Sequence, residues 1–452
     1  MDTVVFGAAT LCALAYLHKR HTLPPAPFPN WAKNVSFSPA AVIAPHTIAE
    51  LREVVASSPK LRVVGSLHSF STIAASPHAL LRLNQLADVA PPSLDDASGV
   101  LWVPGSATYG AVVTFLRGAR WTLPNLASLP HITVAGSIAT ATHGSGLRNG
   151  NLATAVVGLE MVTSSGGFVA VSRATHGALF DGMVVSLGAL GVVVRVALQC
   201  VLSFDLAQDV YADLPLAAAC DALPAVLGAG YSVSLFTTWG PRAVFEQVWR
   251  KRLASEGAAP ETWMGARRYA VQVHPIPGVD GGPCTPQLGH AGPAAERLPH
   301  FRFEFQPSAG EELQSEFFVA LDDASAALCA VARLAPRIAP LLHISEVRAV
   351  AGDQLWLSTA HGRDSVAIHF TWKKMEAEVR ALLPYLEAAL APFGARPHWG
   401  KLCARACAPG GVAALYPKLR DFLQLQRDMD PNRKFSNEFV EVALGLGVGK
   451  TP

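Results

Sequence analysis

Leu61-Arg62-Val63-Val64-Gly65-Ser66-Leu67-His68-Ser69-Phe70-Ser71 is the stretch on which the reading of this chain turns. Leu61 to Val64 has strand character, and Gly65 stops it. The turn that follows, Gly65 to Ser71, holds three serines and one histidine. A strand that ends in a tight Gly/Ser turn exposes a row of backbone N–H groups, and such a row forms a nest for phosphate. His68 then stands beside whatever carries the phosphates.

A second cluster has the same character: Val134-Ala135-Gly136-Ser137-Ile138-Ala139-Thr140-Ala141-Thr142-His143-Gly144-Ser145-Gly146. Small side chains let backbone approach a flat ligand closely, and glycines free N–H groups for phosphates. A flexible Gly/Ala loop is the plainer reading. Two such clusters, each carrying a histidine, argue against it. Together they point to a flavin, with His68 placed for a covalent bond.

Around these clusters, 452 residues predict two to three domains. Half the residues are hydrophobic and 15% are charged, enough for large cores. A net charge of +2 leaves no electrostatic footprint for nucleic acid. Cys12, Cys200, Cys220, Cys284, Cys329, Cys403 and Cys407 are odd in number and scattered, without CxxC spacing. They indicate neither a zinc site nor a disulfide framework, and read as packing or surface thiols. Residues 1–23 form a hydrophobic segment, apolar from Thr3 to Leu17 and followed by His18-Lys19-Arg20-His21. That is short for a span, which takes about 20 residues. Anchor, signal and organellar presequence all fit, so membrane association is an expectation. As an anchor, Lys19 and Arg20 favour a cytoplasmic body. Leu23 to Pro29 reads as a stiff linker.

Helices are predicted over Ile48 to Val55, with Thr47 as N-cap, and over Tyr109 to Leu116. Strands are predicted at Leu61 to Val64, Val100 to Val103 and Gly191 to Val201. Val156 to Thr163 and Phe168 to Val171 flank a hairpin turn. This irregular alternation predicts an α+β domain over residues 24–205. From Asp205 to Pro299 the pattern loosens, and Pro275 to Pro299 reads as a long surface loop. A second domain of sheet plus helices is expected over 206–425, with 426–452 returning toward the first. Its strands are Phe301 to Phe305, His343 to Val350 and Ser365 to Trp372, and its helices Ala377 to Ala391 and Val412 to Asp428.

Three strands carry charge on one face. Period-two alternation pairs Glu346 with Arg348, His369 with Thr371, and Arg302 with Glu304. A charged strand face is ordinarily the solvated side of a half-buried sheet, and periodicity does not say which of the three is functional. Several motifs fail. Gly449-Lys450-Thr451 lacks the first glycine of a phosphate loop, because that position is Leu444. No GxGxxG or GxSxG motif serves, and the His131/His143 spacing matches no metal site.

Gly65 to Phe70, Thr133 to Gly146, Gly188 to Val192, Pro397 to Lys401 and Asp430 to Phe439 resemble, in this order, the sugar-alcohol and aldonolactone oxidases. These are flavoproteins of the vanillyl-alcohol oxidase type. The resemblance covers about Asn30 to Val440. It implies an α+β fold: a two-subdomain FAD-binding domain of the vanillyl-alcohol oxidase type plus an α+β substrate-cap domain. His68 would bond the flavin. Val64, Gly65, Ser66, Leu67, His68, Ser69 and Phe70 would hold the cofactor. Ser137, Thr142, Ser145 and Gly146 would line the flavin, and Gly188, Val192 and Val193 its adenine side. Within the family the motifs look most like alditol oxidase. That likeness implies substrate residues Ser137, Glu346, Arg348, His369, Thr371 and Lys401, and leaves Arg302 and Glu304 as scaffold.

Alcohol oxidation removes a proton from oxygen and a hydride from carbon. His369, with an ordinary pKa of about 6.5, is the expected base. Lys401 would favour the developing alkoxide, with Arg348 beside it. The expected reaction takes a polyol and O2 to a carbonyl product and hydrogen peroxide. An aldonolactone oxidase, a dehydrogenase using another acceptor, and a non-catalytic carbohydrate-binding relative are the competing readings.

Overall fold

The computed structural model describes residues 25–305, 310–405 and 411–446. The apolar segment 1–23, Cys12, Cys407 and Gly449 to Thr451 lie outside the described residues. Among the described residues, no single helix is long and apolar enough to cross a membrane, and no cluster of ligating side chains could hold a metal.

The first half is built on two small sheets, with two further two-stranded pairs beside them. Ala41–Ile43, Ala79–Arg82 and Leu61–Val64 form a parallel sheet with the Ala79 strand central. Helix Ile48–Ser57 covers it, burying Leu51, Val54 and Val55 at helical spacing, and the Thr47 hydroxyl accepts from the Glu50 N–H. The second sheet is antiparallel, in the order Phe168–Ser172, Val156–Val162, Val192–Gln199, Val100–Pro104 and Ser93–Asp95. Helix Tyr109–Phe115 also forms where its spacing predicts.

The second half is built on one antiparallel sheet of ten strands. Its centre runs Leu313–Ala320, Ser365–Trp372, Leu342–Val350, Ser232–Thr237 and Val244–Leu253. One face carries Val366, Ile368, Phe370 and Trp372. Against it pack Leu328 and Val331 of helix Ala324–Ala332, and Val379, Leu383 and Leu386 of helix Glu376–Leu390. The opposite face is polar and looks toward the first half.

Four expectations need correction. The loosened region holds three strands, Asp205–Pro215, Ser232–Thr237 and Val244–Leu253. Polar and apolar residues occur on both of their faces, which erases alternation, and Lys251 and Arg252 are buried basic side chains that imitate a surface. Leu313–Ala320 is a further strand that periodicity did not single out. Phe301 to Phe305 is no strand: only Phe301 bridges, to Cys284, while the Phe303 ring stacks on His131. The last long helix is Leu419–Met429, starting only after Pro417. It packs on helix Phe180–Val184 of the first half. The Pro275 to Pro299 segment is irregular as expected but not superficial, since Cys284, Thr285, Gln287 and Leu298 are buried.

Candidate active site

Between the two halves lies a cavity of about 680 Å³. One wall is the turn that ends strand Leu61–Val64. Among the described residues, the peptide N–H groups of Ser66, Leu67, His68 and Ser69 have no acceptor. Leu67 sits at φ +59°, a left-handed backbone that curls this row inward. The turn can meet helix Val134–Ala139 only because residue 65 is glycine: a Cβ there would stand 2.2 Å from Thr133 Oγ1. The His68 ring lies 5.1 Å from that of Trp31. Burial, then the charge of His131, pushes the His68 pKa down to about 4, so its imidazole is neutral at physiological pH.

Val64 through Phe70, Ser137, Thr142, Gly188 and Val193 all line this cavity. Three residues expected there do not. Val192 points into the apolar core with Val162, Val194 and Phe435, because its neighbour Val193 takes the cavity face. The Ser145 hydroxyl is engaged by Ser232 Oγ at 2.9 Å and the Val233 carbonyl at 2.8 Å. The Gly146 N–H donates to the Ala349 carbonyl. Ser145 and Gly146 therefore fasten the first half to the large sheet rather than lining the cavity.

The facing wall is the polar side of that sheet. Register aligns Glu316, His369, Glu346, Phe236 and Gln247 across five strands. Arg348 is two residues from Glu346 on the same face, and Thr371 two from His369. Lys401 enters from the loop after strand Arg396–Pro397. The structure thus brings Ser137, Glu346, Arg348, His369, Thr371 and Lys401 to one cavity.

Glu316 organises them, and periodicity did not single it out. Its Oε1 accepts from Arg348 at 2.9 Å and lies 3.1 Å from His143 Nε2, while Oε2 accepts from Lys401 Nζ at 2.6 Å. Burial raises the Glu316 pKa, yet Lys401, His143 and Arg348 together hold it well below the usual carboxylate range. Arg348 Nε is 3.5 Å from Glu346 Oε2. Two carboxylates thus neutralise two cations in a buried cluster. The signal was present: Gln314, Glu316 and Phe318 alternate with Ser315 and Phe317, but the apolar Phe317-Phe318-Val319 run hides the period.

His369 Nε2 is 3.1 Å from Gln314 Oε1. The Gln314 amide nitrogen donates to Glu312, which turns its oxygen toward His369 and so places the imidazole proton on Nε2. Nδ1 is buried without a protein partner. Burial, then Lys401, pushes the His369 pKa well below the usual histidine value. Burial also lowers Lys401, against the opposing pull of Glu316.

Residues 39–172 match the family described as FAD binding domain, and residues 312–443 the one described as D-arabinono-1,4-lactone oxidase. The chain is 43% identical to an alditol oxidase of Streptomyces sp., over 92% of this chain and 98% of that one. The chain belongs to the FAD-dependent alditol and aldonolactone oxidase family. A more distant member is L-gulono-1,4-lactone dehydrogenase of Mycobacterium tuberculosis, 28% identical over 92% of this chain and 98% of that one. The fold is also that of cholesterol oxidase from B. sterolicum, with a TM-score of 0.74 at 14% identity, covering 92% of this chain and 96% of the other.

The residues of this family member fit the FAD that its family name implies. Four successive N–H groups of the Ser66–Ser69 turn, which lines the cavity, have no acceptor among the described residues and are available to a pyrophosphate. Gly65 and Gly105 sit where an added Cβ would come within 3 Å of neighbouring atoms, which marks backbone packed without room for side chains. The cavity volume lies within the range of cofactor sites, about 300–1,000 Å³.

Proposed function

We propose that this protein oxidises a hydroxyl of a polyol to the carbonyl and delivers the electrons to O2, yielding hydrogen peroxide. What carries the reading is the set His369, Lys401, Arg348, Glu346 and Thr371 in one cavity with the unpaired Ser66–Ser69 N–H row. The 43% identity with an alditol oxidase supports the polyol as substrate.

When bound, FAD supplies the hydride acceptor. The protein's residues supply the rest. His369, which lines the cavity and stays neutral there, takes the hydroxyl proton. Lys401, held by Glu316, presents its remaining N–H donors to the oxygen that is losing that proton. Arg348 and Glu346 give a donor and an acceptor to the more distant hydroxyls, and Thr371 and Ser137 add hydroxyl contacts. Neutral His68 would be the residue that holds FAD covalently, replacing one C–H of the 8α-methyl group, with the proton released to solvent and the two electrons passing through the flavin to O2. We take it as the covalent tether.

Turnover on xylitol and sorbitol, read as peroxide under air, should exceed turnover on gulono- and galactono-lactones. The lactone reading is favoured by the match of residues 312–443, and turnover on lactones alone would establish it. Peroxide-free turnover with a dye would make the protein a dehydrogenase. Acid precipitation tests the tether: yellow colour should stay with the pellet, and colour in the supernatant removes the bond.

A further inference from the structure

Behind Glu346, on the side away from Glu316, lies a further buried basic side chain that the mechanism does not use. Lys251 stands on strand Val244–Leu253, on the same face as Gln247, and is only 1% exposed. Its Nζ reaches the Leu298 carbonyl at 2.5 Å, the Pro299 carbonyl at 3.2 Å and His300 Nδ1 at 3.4 Å. Burial lowers the Lys251 pKa to about 7, so near neutrality the group is in part an uncharged amine, and in either form it keeps N–H donors for these contacts. Glu346, held ionised, can only accept from this imidazole, so Nδ1 accepts from Lys251 and the ring proton sits on Nε2. That nitrogen lies 2.7 Å from Glu346 Oε1 and donates to it. The His300 ring is wedged edge-on against Phe236 and Trp249, at 5.6 and 5.2 Å between centroids, so it cannot swing away.

We infer that Lys251 and His300 are positioning residues that fix the tautomer of one imidazole, and through it the aim of the Glu346 carboxylate at a hydroxyl remote from the reacting carbon. The two make substrate recognition depend on the Leu298–His300 segment, which neither motif nor alternation marks in the sequence. The inference rests on the reading of Glu346 as a substrate acceptor. Glu346 lines the cavity, and His300 and Arg348 occupy only part of its capacity as an acceptor. An acceptor for a remote hydroxyl binds ground state and transition state alike. Its loss therefore raises KM and spares kcat.

Steady-state kinetics of four flavin-loaded variants tests this. Lys251→Met leaves His300 without its donor, and His300→Phe keeps the ring but removes both nitrogens. Each should raise KM by about tenfold with kcat within about threefold, the size of one lost hydrogen bond to a charged group. The double variant should be no worse than either single one, because both act through the same carboxylate. His300→Gln keeps an N–H for Glu346 and should recover most of the affinity. Flavin content and Tm show whether Lys251→Met has folded; if it has not, the His300→Phe and His300→Gln pair decides. KM within twofold of wild type in His300→Phe, a matching KM loss in His300→Gln, or multiplicative losses in the double variant each overturn the inference. The variants are assayed on whichever class, alditol or lactone, wild type oxidises. A wrong substrate class then shows in wild type alone, and a wrong role for Lys251 shows in the ratio to wild type.

Discussion

At His369 one ring nitrogen is engaged by Gln314 and the other has no partner. The sequence offered an imidazole with an ordinary pKa as the base, and burial beside Lys401 changes its working range. A lowered pKa means the ring stays neutral, and so able to accept a proton, well below pH 6.5. We therefore expect kcat/KM to stay level as pH falls from about 8 through about 6.5, where an unperturbed histidine would be half protonated. A decline centred near that value would contradict the assignment. Lys401 acts from the other direction: its lowered pKa brings loss of its charge, and with it of alkoxide stabilisation, below the ordinary lysine range. His369→Ala should abolish turnover. If it leaves turnover unchanged while Lys401→Ala abolishes it, Lys401 is the base. Glu316→Gln should also lower kcat, by about a hundredfold, because it frees Lys401 and Arg348 together and leaves the cluster with excess buried positive charge.

At the scale of elements, the turn after Leu61–Val64 was legible because its chemistry is local. A strand end, a glycine and free N–H groups are properties of seven consecutive residues. Strands Ser365–Trp372 and Leu342–Val350 were legible because one face is apolar against helices and the other polar. Val244–Leu253 and Leu313–Ala320 were not, because polar and apolar residues occur on both of their faces: Glu246, Arg250 and Arg252 alternate with Gln247, Trp249 and Lys251, and Phe318 shares the face of Glu316. That is why Glu316, Lys251 and His300 escaped notice: each acquires its partner from a segment distant in the chain. Arg302 and Glu304 show the converse, since a perfect alternation there forms a turn. The glycine of the turn gives an element-scale prediction. In Gly65→Ala the new Cβ meets Thr133 Oγ1 at 2.2 Å and Thr133 Cβ at 3.2 Å, and rotating Thr133 relieves the first contact but not the second. The turn and helix Val134–Ala139 must separate. The purified variant should carry less than about half the flavin of wild type by absorbance. Adding Thr133→Ala should restore part of it.

Across the whole molecule, the two halves meet through buried polar side chains rather than through an apolar seam alone. Ser145 joins Ser232, His143 joins Glu316, and Arg348 reaches Ser128. Such a junction holds its histidines neutral: burial lowers His143, His369 and His398, and pushes His300 down to about 4. In the unfolded chain each titrates near 6.5. Between those values the unfolded state binds more protons than the native one, so unfolding free energy rises with pH and falls on acidification. Each such histidine contributes a slope of up to about 1.4 kcal/mol per pH unit within its window. Glu316 and Glu346, held ionised in the native state, extend the loss below the usual carboxylate range. The Tm should therefore drop steeply from pH 6.5 to pH 4, through protons taken up at the junction and not at the surface. His300→Phe separates the two sources. It removes one of the titrating rings, so its Tm should decline less steeply than that of wild type over this interval, whatever its Tm at pH 7. An unchanged slope would mean that the junction histidines do not govern acid stability.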